Sequence, residues 1–268
     1  MEDIMRKTDW GQGLVPGGIG WVRWLTLAFL LPGITHAAGL NDTGITDCSN
    51  DTAVVTTGVE ADTGTHPRQD CRYGRDPAAT AGMPKTGAGG KGFDFSKIAN
   101  DGTVLNAAAV LGTGAKDWAC TRDNVTGLIW EVKTTSGLRS QSHSYTWYNS
   151  DAASNGGSAG TASGGTCATS GRCDTEKFVT DVNAVGLCGA TDWRMPSKKD
   201  LISILDLGRT NPAIDPTFFP NTPVSYFWSA SAYAYYSGGA WFVAFDYGYA
   251  YSYSEYRTFQ VRLVRAGQ

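Results

Sequence analysis

The stretch AYAYYSGGAWFVAFDYGYAYSYSEYRTF, residues 232–259, decides the reading of the C-terminal half of the chain. Within it, AWFVAFD (240–246) alternates with the period of a β-strand. Trp241, Val243 and Phe245 share one face and are expected to point into a core, while Phe242, Ala244 and Asp246 point the other way. Past Gly248, Tyr249, Tyr251 and Tyr253 alternate with Ala250, Ser252 and Ser254. Eight tyrosines, five alanines, three serines and three glycines fill most of these 28 positions, so the stretch needs an account of its own. Tyrosine favours strands, and a strand set packing on itself is one such account. The other is a binding display, in which tyrosine gives a large amphipathic contact area with few rotatable bonds and Ser and Gly adapt around it. The display is the favoured reading. Its candidate ligand-binding residues are Tyr233, Tyr235, Tyr236, Phe242, Asp246, Tyr247, Tyr249, Tyr251, Tyr253, Glu255 and Tyr256, with Trp228, Trp241, Arg262 and Arg265 as scaffold.

Working outward, YFWSAS (226–231) and FQVRLVR (259–265) are further strand candidates. A proline-broken loop, NPAIDPTFFPNTPV, precedes them. Upstream, DTEKFVTDVNAVGLCG predicts an amphipathic helix capped by Asp174, with Phe178, Val182 and Val185 on one face and Gly186 as its stop. A second helix follows in TDWRMPSKKDLISILDLG, where Ser197 caps, Asp200 sits at the capping-box position and Leu201, Ile204 and Leu205 form the apolar face. TGLIWEV (126–132) reads as a strand around Leu128, Trp130 and Val132. Two helices followed by antiparallel C-terminal strands define an α+β fold. Residues 38–115, rich in Gly, Thr, Asp and Ala, read as a loop-rich segment with a few short strands, in TAVVTTGV and GTVLNAAAVLG, that packs on a main domain at 116–268.

The first 37 residues read as a secretory signal. Arg6, Lys7 and Arg23 precede an apolar run from Trp24 to Leu31, and Thr35 and Ala37 have the spacing a signal peptidase reads, so cleavage is expected after Ala37. The run is shorter than the ~18 residues of a spanning helix. All six cysteines lie beyond the cut, which in an exported chain points to disulfides. Fifteen connectivities are open, and Cys48–Cys71, Cys120–Cys188 and Cys167–Cys173 are the favoured pairs. No C-x-x-C spacing marks a metal site, and neither a metal nor a cofactor is expected. A net charge of −3 suggests neither nucleic acid nor an anionic membrane as partner.

Motifs with chemical associations lack their context. GAGGKG (87–92) matches G-x-G-x-x-G without a flanking strand and helix, and GGSAG (156–160) places Ser158 inside a Gly/Ser loop rather than at a strand-to-helix turn. Beyond residue 37 only His66 and His143 could serve as a histidine base, and neither has a recognisable setting. No acid–base pair for a hydrolase emerges, and a non-enzymatic protein is expected.

CTRDNVTGLIWEVK, LCGATDWRMPSKKDLISIL, YFWSAS and AWFVAFDYG…VRLVR occur in this order. With them the chain resembles the Lcl C-terminal domain family of exported bacterial proteins over about residues 116–265. The resemblance implies a C-type lectin-like α+β domain, distantly similar to formylglycine-generating enzymes. No cysteine follows Cys188, so the reactive cysteine pair of those enzymes is missing. The Glu-Pro-Asn, Gln-Pro-Asp and Trp-Asn-Asp triplets of calcium-dependent sugar-binding lectins are missing too. The expectation is an exported protein binding another protein or a surface glycan. Its alternative is a calcium-independent, adhesin-like carbohydrate-binding module. Lectin-fold proteins also serve as variable proteins of diversity-generating retroelements, whose randomised codons yield the residue set of 233–259.

Overall fold

The structure, a computed structural model, describes residues 39–50, 54–55 and 68–267. The expected signal peptide, its cleavage site and His66 lie outside these residues. The elements run β1 (Cys48–Ser49), β2 (Val54–Val55), α1 (Asp70–Tyr73), α2 (Arg75–Thr80), β3 (Phe95–Ala99), β4 (Val104–Leu105), β5 (Trp118–Asp123), β6 (Leu128–Glu131) and β7 (Tyr145–Thr146). They continue with α3 (Thr175–Ala184), α4 (Lys198–Ile202), β8 (Tyr226–Ala232), β9 (Gly239–Ala244), β10 (Tyr249–Ser254), β11 (Thr258–Phe259) and β12 (Val264–Ala266). The fold is α+β, with every strand pairing between these elements antiparallel.

Local signals set the helices. The Asp174 side chain accepts from Lys177 N and opens α3, which buries Phe178 and Val182. Val185 falls past the helix end and is exposed, because Gly186 takes a left-handed φ of 64° and turns the chain away. Ser197 and Asp200 form a reciprocal capping box on α4. That helix is only five residues long, so Ile204 and Leu205 reach the core from the turn after it.

Two sheets carry the core. One has the order β12-β6-β5-β3-β4 and the other β10-β9-β8. Residues Ala38–Gln268 form one unit, and β3 is paired with β5, so the expected boundary at 115/116 falls between strands of one sheet. The period-two alternation of β9 is real, but both of its faces are covered. Val243 and Phe245 lie against Phe93, Phe95, Trp130 and Phe219. Phe242 and Ala244 lie on the opposite face, in a second cluster with Trp147, Phe178, Trp193 and Trp228. The outward position expected for Phe242 is therefore corrected: the strand lies between two apolar layers, and Phe242 is 3% exposed. Trp241, expected in the core, is only half-buried, with Lys198 Nζ 3.6 Å over its ring and Tyr233 edge-on at 5.3 Å.

Buried indoles are tied to carbonyls across the layers. Trp147 Nε1 donates to Ser229 O at 2.9 Å, Trp228 Nε1 to Tyr145 O at 3.0 Å and Trp193 Nε1 to Leu187 O at 2.9 Å. Disulfides join Cys48–Cys71, Cys120–Cys188 and Cys167–Cys173, the pairs favoured above. The Cys120–Cys188 link closes a separation of 68 residues, worth about 4 kcal/mol in the chain-entropy account.

A charged group sits inside this core. The Glu131 carboxylate accepts from Lys133 Nζ at 2.8 Å and from Leu263 N at 2.9 Å, and Arg262 Nη1 donates to Glu131 O at 2.7 Å. All three side chains are buried. Burial lowers the Lys133 ammonium to about 8, with the Glu131 charge and hydrogen bond opposing the shift.

Two outcomes follow from this packing. Trp228→Ala is expected to cost about 3–5 kcal/mol and Trp241→Ala about 1 kcal/mol in urea unfolding. Equal costs would mean that the two rings are equally buried. The Lys133 group titrates at about 8 folded and near 10.5 unfolded, so between those values the unfolded chain holds more protons and stability rises with pH. The unfolding free energy of the native protein minus that of Lys133→Met should therefore increase from pH 7 to about pH 9.5. A flat or falling difference would contradict the lowered Lys133 pKa.

Candidate ligand-binding face

The tyrosine display is built on β10, an edge strand paired only with β9 in its sheet. The register sets Tyr249 opposite Ala244, Tyr251 opposite Phe242 and Tyr253 opposite Ala240. Directly paired residues share a face, so the three rings continue the buried Phe242 face outward to solvent. Their Cα positions repeat about every 7 Å along the strand. At one end the turn after β9 carries Tyr247, and Gly248 closes it with φ at 77°, where an added Cβ would lie 2.5 Å from Leu207 Cδ2. At the other end the β8–β9 turn carries Tyr235 and Tyr236, and Tyr256 follows β10. These seven tyrosines are between 43% and 91% exposed. Tyr233 is half-buried on Trp241.

The rings are anchored to different degrees. A hydrogen bond with Tyr226 comes first among the causes that push the Tyr249 hydroxyl up to about 12, followed by burial and the Asp246 charge. Tyr253 meets Phe259 edge-on at 6.0 Å. Arg257, which the sequence reading passed over, lies 5.2 Å from the Tyr253 ring and 5.6 Å from the Tyr256 ring. A cation beside two tyrosines in sequence was the available signal, but only the turn brings it over both faces.

Two expected contacts are corrected. Phe242 is core, as described. Glu255 is 3% exposed, and its Oε2 accepts from Ser158 Oγ at 2.8 Å. Its side chain turns under the 155–160 loop and holds that loop to the end of β10, and burial raises its carboxyl above the usual range. Ser158 is thereby a loop anchor. Asp246 is half-buried and caps its own turn, Oδ1 accepting from Tyr247 N at 2.7 Å. His143 Nδ1 lies 3.2 Å from Leu138 O and 3.4 Å from the Tyr145 hydroxyl, and burial lowers its pKa.

The exposed set offers ring faces, hydroxyls and one guanidinium. Such groups stack and exchange hydrogen bonds. A separate cleft of about 390 Å³ opens between α3 and the 194–197 segment, walled by Trp147, Val179 and Met195 with Glu176 and Arg194 at its margin. Its residues come from four distant segments, so no local pattern announced it.

An α+β domain with its aromatic groups displayed on an edge strand and the adjoining turns is the class defined so far. The profile of the Lcl C-terminal domain family matches residues 119–265, just over half of the chain, and the chain belongs to that family. Neither the curated proteins nor the solved structures contain a match. The family and the three disulfides fit an exported protein, and no helix among the described residues is long and apolar enough to cross a membrane.

The rings should separate by anchoring. Tyr251→Ser is expected to leave the unfolding free energy within about 0.5 kcal/mol of the native value, while Tyr253→Ser loses about 1 kcal/mol through its contact with Phe259. Chemical denaturation of the two variants measures this. A large loss from Tyr251→Ser would place that ring in a core.

Proposed function

We propose that this chain is an exported, non-enzymatic binding protein whose contact surface is the tyrosine strip of β10 with the turns at both its ends. One observation carries the reading: Tyr249, Tyr251 and Tyr253 stand exposed, side by side, on a strand whose neighbour β9 is buried on both faces. A rigid support lowers the ordering cost of binding, and rings with two rotatable bonds add little more. The ligand is a protein or a surface glycan. The near-neutral character of the strip also favours a second reading, a carbohydrate-binding module in which the rings stack on sugars without calcium. Concentration of the tyrosines on exposed turns and one edge supports diversification of residues 233–259 by a retroelement. A near-copy of this coding region beside a reverse-transcriptase gene would support that origin, and its absence would remove it.

The test compares the native protein with a Tyr235→Ser, Tyr251→Ser, Tyr256→Ser triple variant on glycan and protein arrays. Melting temperatures should agree within a few degrees, because all three rings are exposed. Capture by the variant should fall at least about thirtyfold, the equivalent of about 2 kcal/mol for a single central aromatic. Unchanged capture would move the binding surface elsewhere. Sugar capture that survives chelation would select the second reading.

A further inference from the structure

The N-terminal segment holds an arrangement that the binding face does not use. Asp42 precedes β1, Asp70 begins α1 and Asp76 lies in the first turn of α2. One carboxylate oxygen from each lies within 4.8 Å of the others. Asp42 and Asp76 are each 4% exposed. Each of these two carboxylates has one oxygen held and one left over. Asp42 Oδ1 accepts from Gly44 N at 3.1 Å and Asp76 Oδ1 from Gly92 N at 2.9 Å, whereas Asp42 Oδ2 and Asp76 Oδ2 are buried with no hydrogen-bond partner. Thr43 Oγ1 donates to Asp70 Oδ2 and orients the third carboxylate. A Cβ on Gly92 would lie 2.0 Å from Asp42 Oδ2, so glycine keeps the cradle open.

We propose that Asp42, Asp70 and Asp76 bind one calcium ion, which cross-links the 42–44 turn, α1 and α2 of the N-terminal segment. Buried carboxylate oxygens without partners are costly unless a cation or a proton joins them. The donors are all oxygen, which selects a hard cation over zinc or copper. Oxygens within 4.8 Å of one another can meet a calcium ion at about 2.4 Å, whereas magnesium keeps several of its waters and rarely takes an all-protein set. The contacts that fix the outer oxygens are the supporting shell that a metal site needs. A proton shared by Asp42 and Asp76 is the competing occupant: burial, followed by the adjoining Asp42 carboxyl, raises the Asp76 carboxyl to about 7.

The site lies where the segment is already tied down. Leu207 N donates to Thr43 O at 2.8 Å, Lys91 Nζ bridges Gly44 O and Asp206, and the Cys48–Cys71 disulfide adjoins Asp70. An ion there would link the 42–44 turn, the start of α1, and α2 with its Gly92 contact. It is separate from the tyrosine strip, and its test stands whether or not that strip binds a ligand.

Titration of the chelator-stripped full chain with calcium chloride, and separately with magnesium chloride, tests the site by calorimetry and thermal unfolding. One calcium per chain is expected, with a Kd between about 1 μM and 1 mM, together with a rise in melting temperature. Asp42→Asn and Asp76→Asn should each weaken calcium binding at least about tenfold and should not lower the melting temperature in chelator, since each removes one buried negative charge. No calcium binding at about 10 mM would overturn the proposal in favour of a shared proton. Binding that persists unchanged in both variants, or magnesium bound more tightly than calcium, would also overturn it. If the variants fail to fold in chelator, saturable one-to-one binding by the native chain with a raised melting temperature supports the site, and its absence overturns it.

Discussion

The fold depends on how the last strand segment is bonded. Between Thr258 and Ala266 the chain passes from one sheet to the next. β11 pairs with β7, Gln260 exchanges backbone hydrogen bonds with Tyr226 and Trp228 of β8, and β12 pairs with β6. At the crossing, Leu263 O accepts from Glu131 N, and the Glu131 side chain takes up Leu263 N. Arg262 spans the same place, donating to Glu131 O and to Thr222 Oγ1. A buried carboxylate is costly alone. Here it satisfies an amide that has left a ladder and draws Lys133 in as its counter-charge, so losing Glu131 would orphan an ammonium and an amide together.

That stitching explains why β9 is covered on both sides. The β8–β9 pair lies between two apolar clusters, one with Phe93, Phe95 and Trp130 and the other with Trp147, Phe178 and Trp193. Phe227 packs on Phe245 at 4.8 Å on the first side, and Trp228 on Phe259 of β11 at 4.4 Å on the other. A strand so enclosed has little freedom to shift register, because a one-residue slip would exchange two sets of differently shaped side chains. β10 inherits this rigidity through six paired residues while presenting Tyr249, Tyr251 and Tyr253 to solvent.

Features set by local chemistry were legible in the sequence. The Asp174 cap, the Ser197–Asp200 box and the strand periods all depend on residues within a few positions of one another. The direction of burial was not legible, since AWFVAFD reads identically whether one face or both are covered. β3 escaped notice because Asp94, Ser96 and Lys97 interrupt its apolar residues. In the structure Lys97 satisfies itself by donating to Ala109 O at 2.7 Å and by lying 3.9 Å over Trp118. Glu255 read as a display residue because its neighbours are tyrosines, and only the return of the 155–160 loop buries it. The three aspartates were invisible as a group, since they are scattered across 42–76 and match no short ligand spacing.

A binding face of the kind proposed, on an edge strand and its turns, would separate two demands that usually conflict. Contact residues of a binding site are subject to change, whereas core residues are not, because a cavity or an overpacked ring costs about 1–5 kcal/mol. Here the exposed rings at 235, 236, 247, 251 and 256 lie outside both apolar clusters. Phe242, Gly248 and Glu255, which help to fix β10, are buried or conformationally constrained and lie between them in the sequence, and the half-buried Phe259 follows them. Substitution at the exposed positions can therefore alter the surface without changing the sheet that carries it. Tyr249 and Tyr253 form the border. Each has one edge on the core, through Phe242 and Phe259, and one edge in solvent. They give the display a fixed centre line from which the freer rings extend.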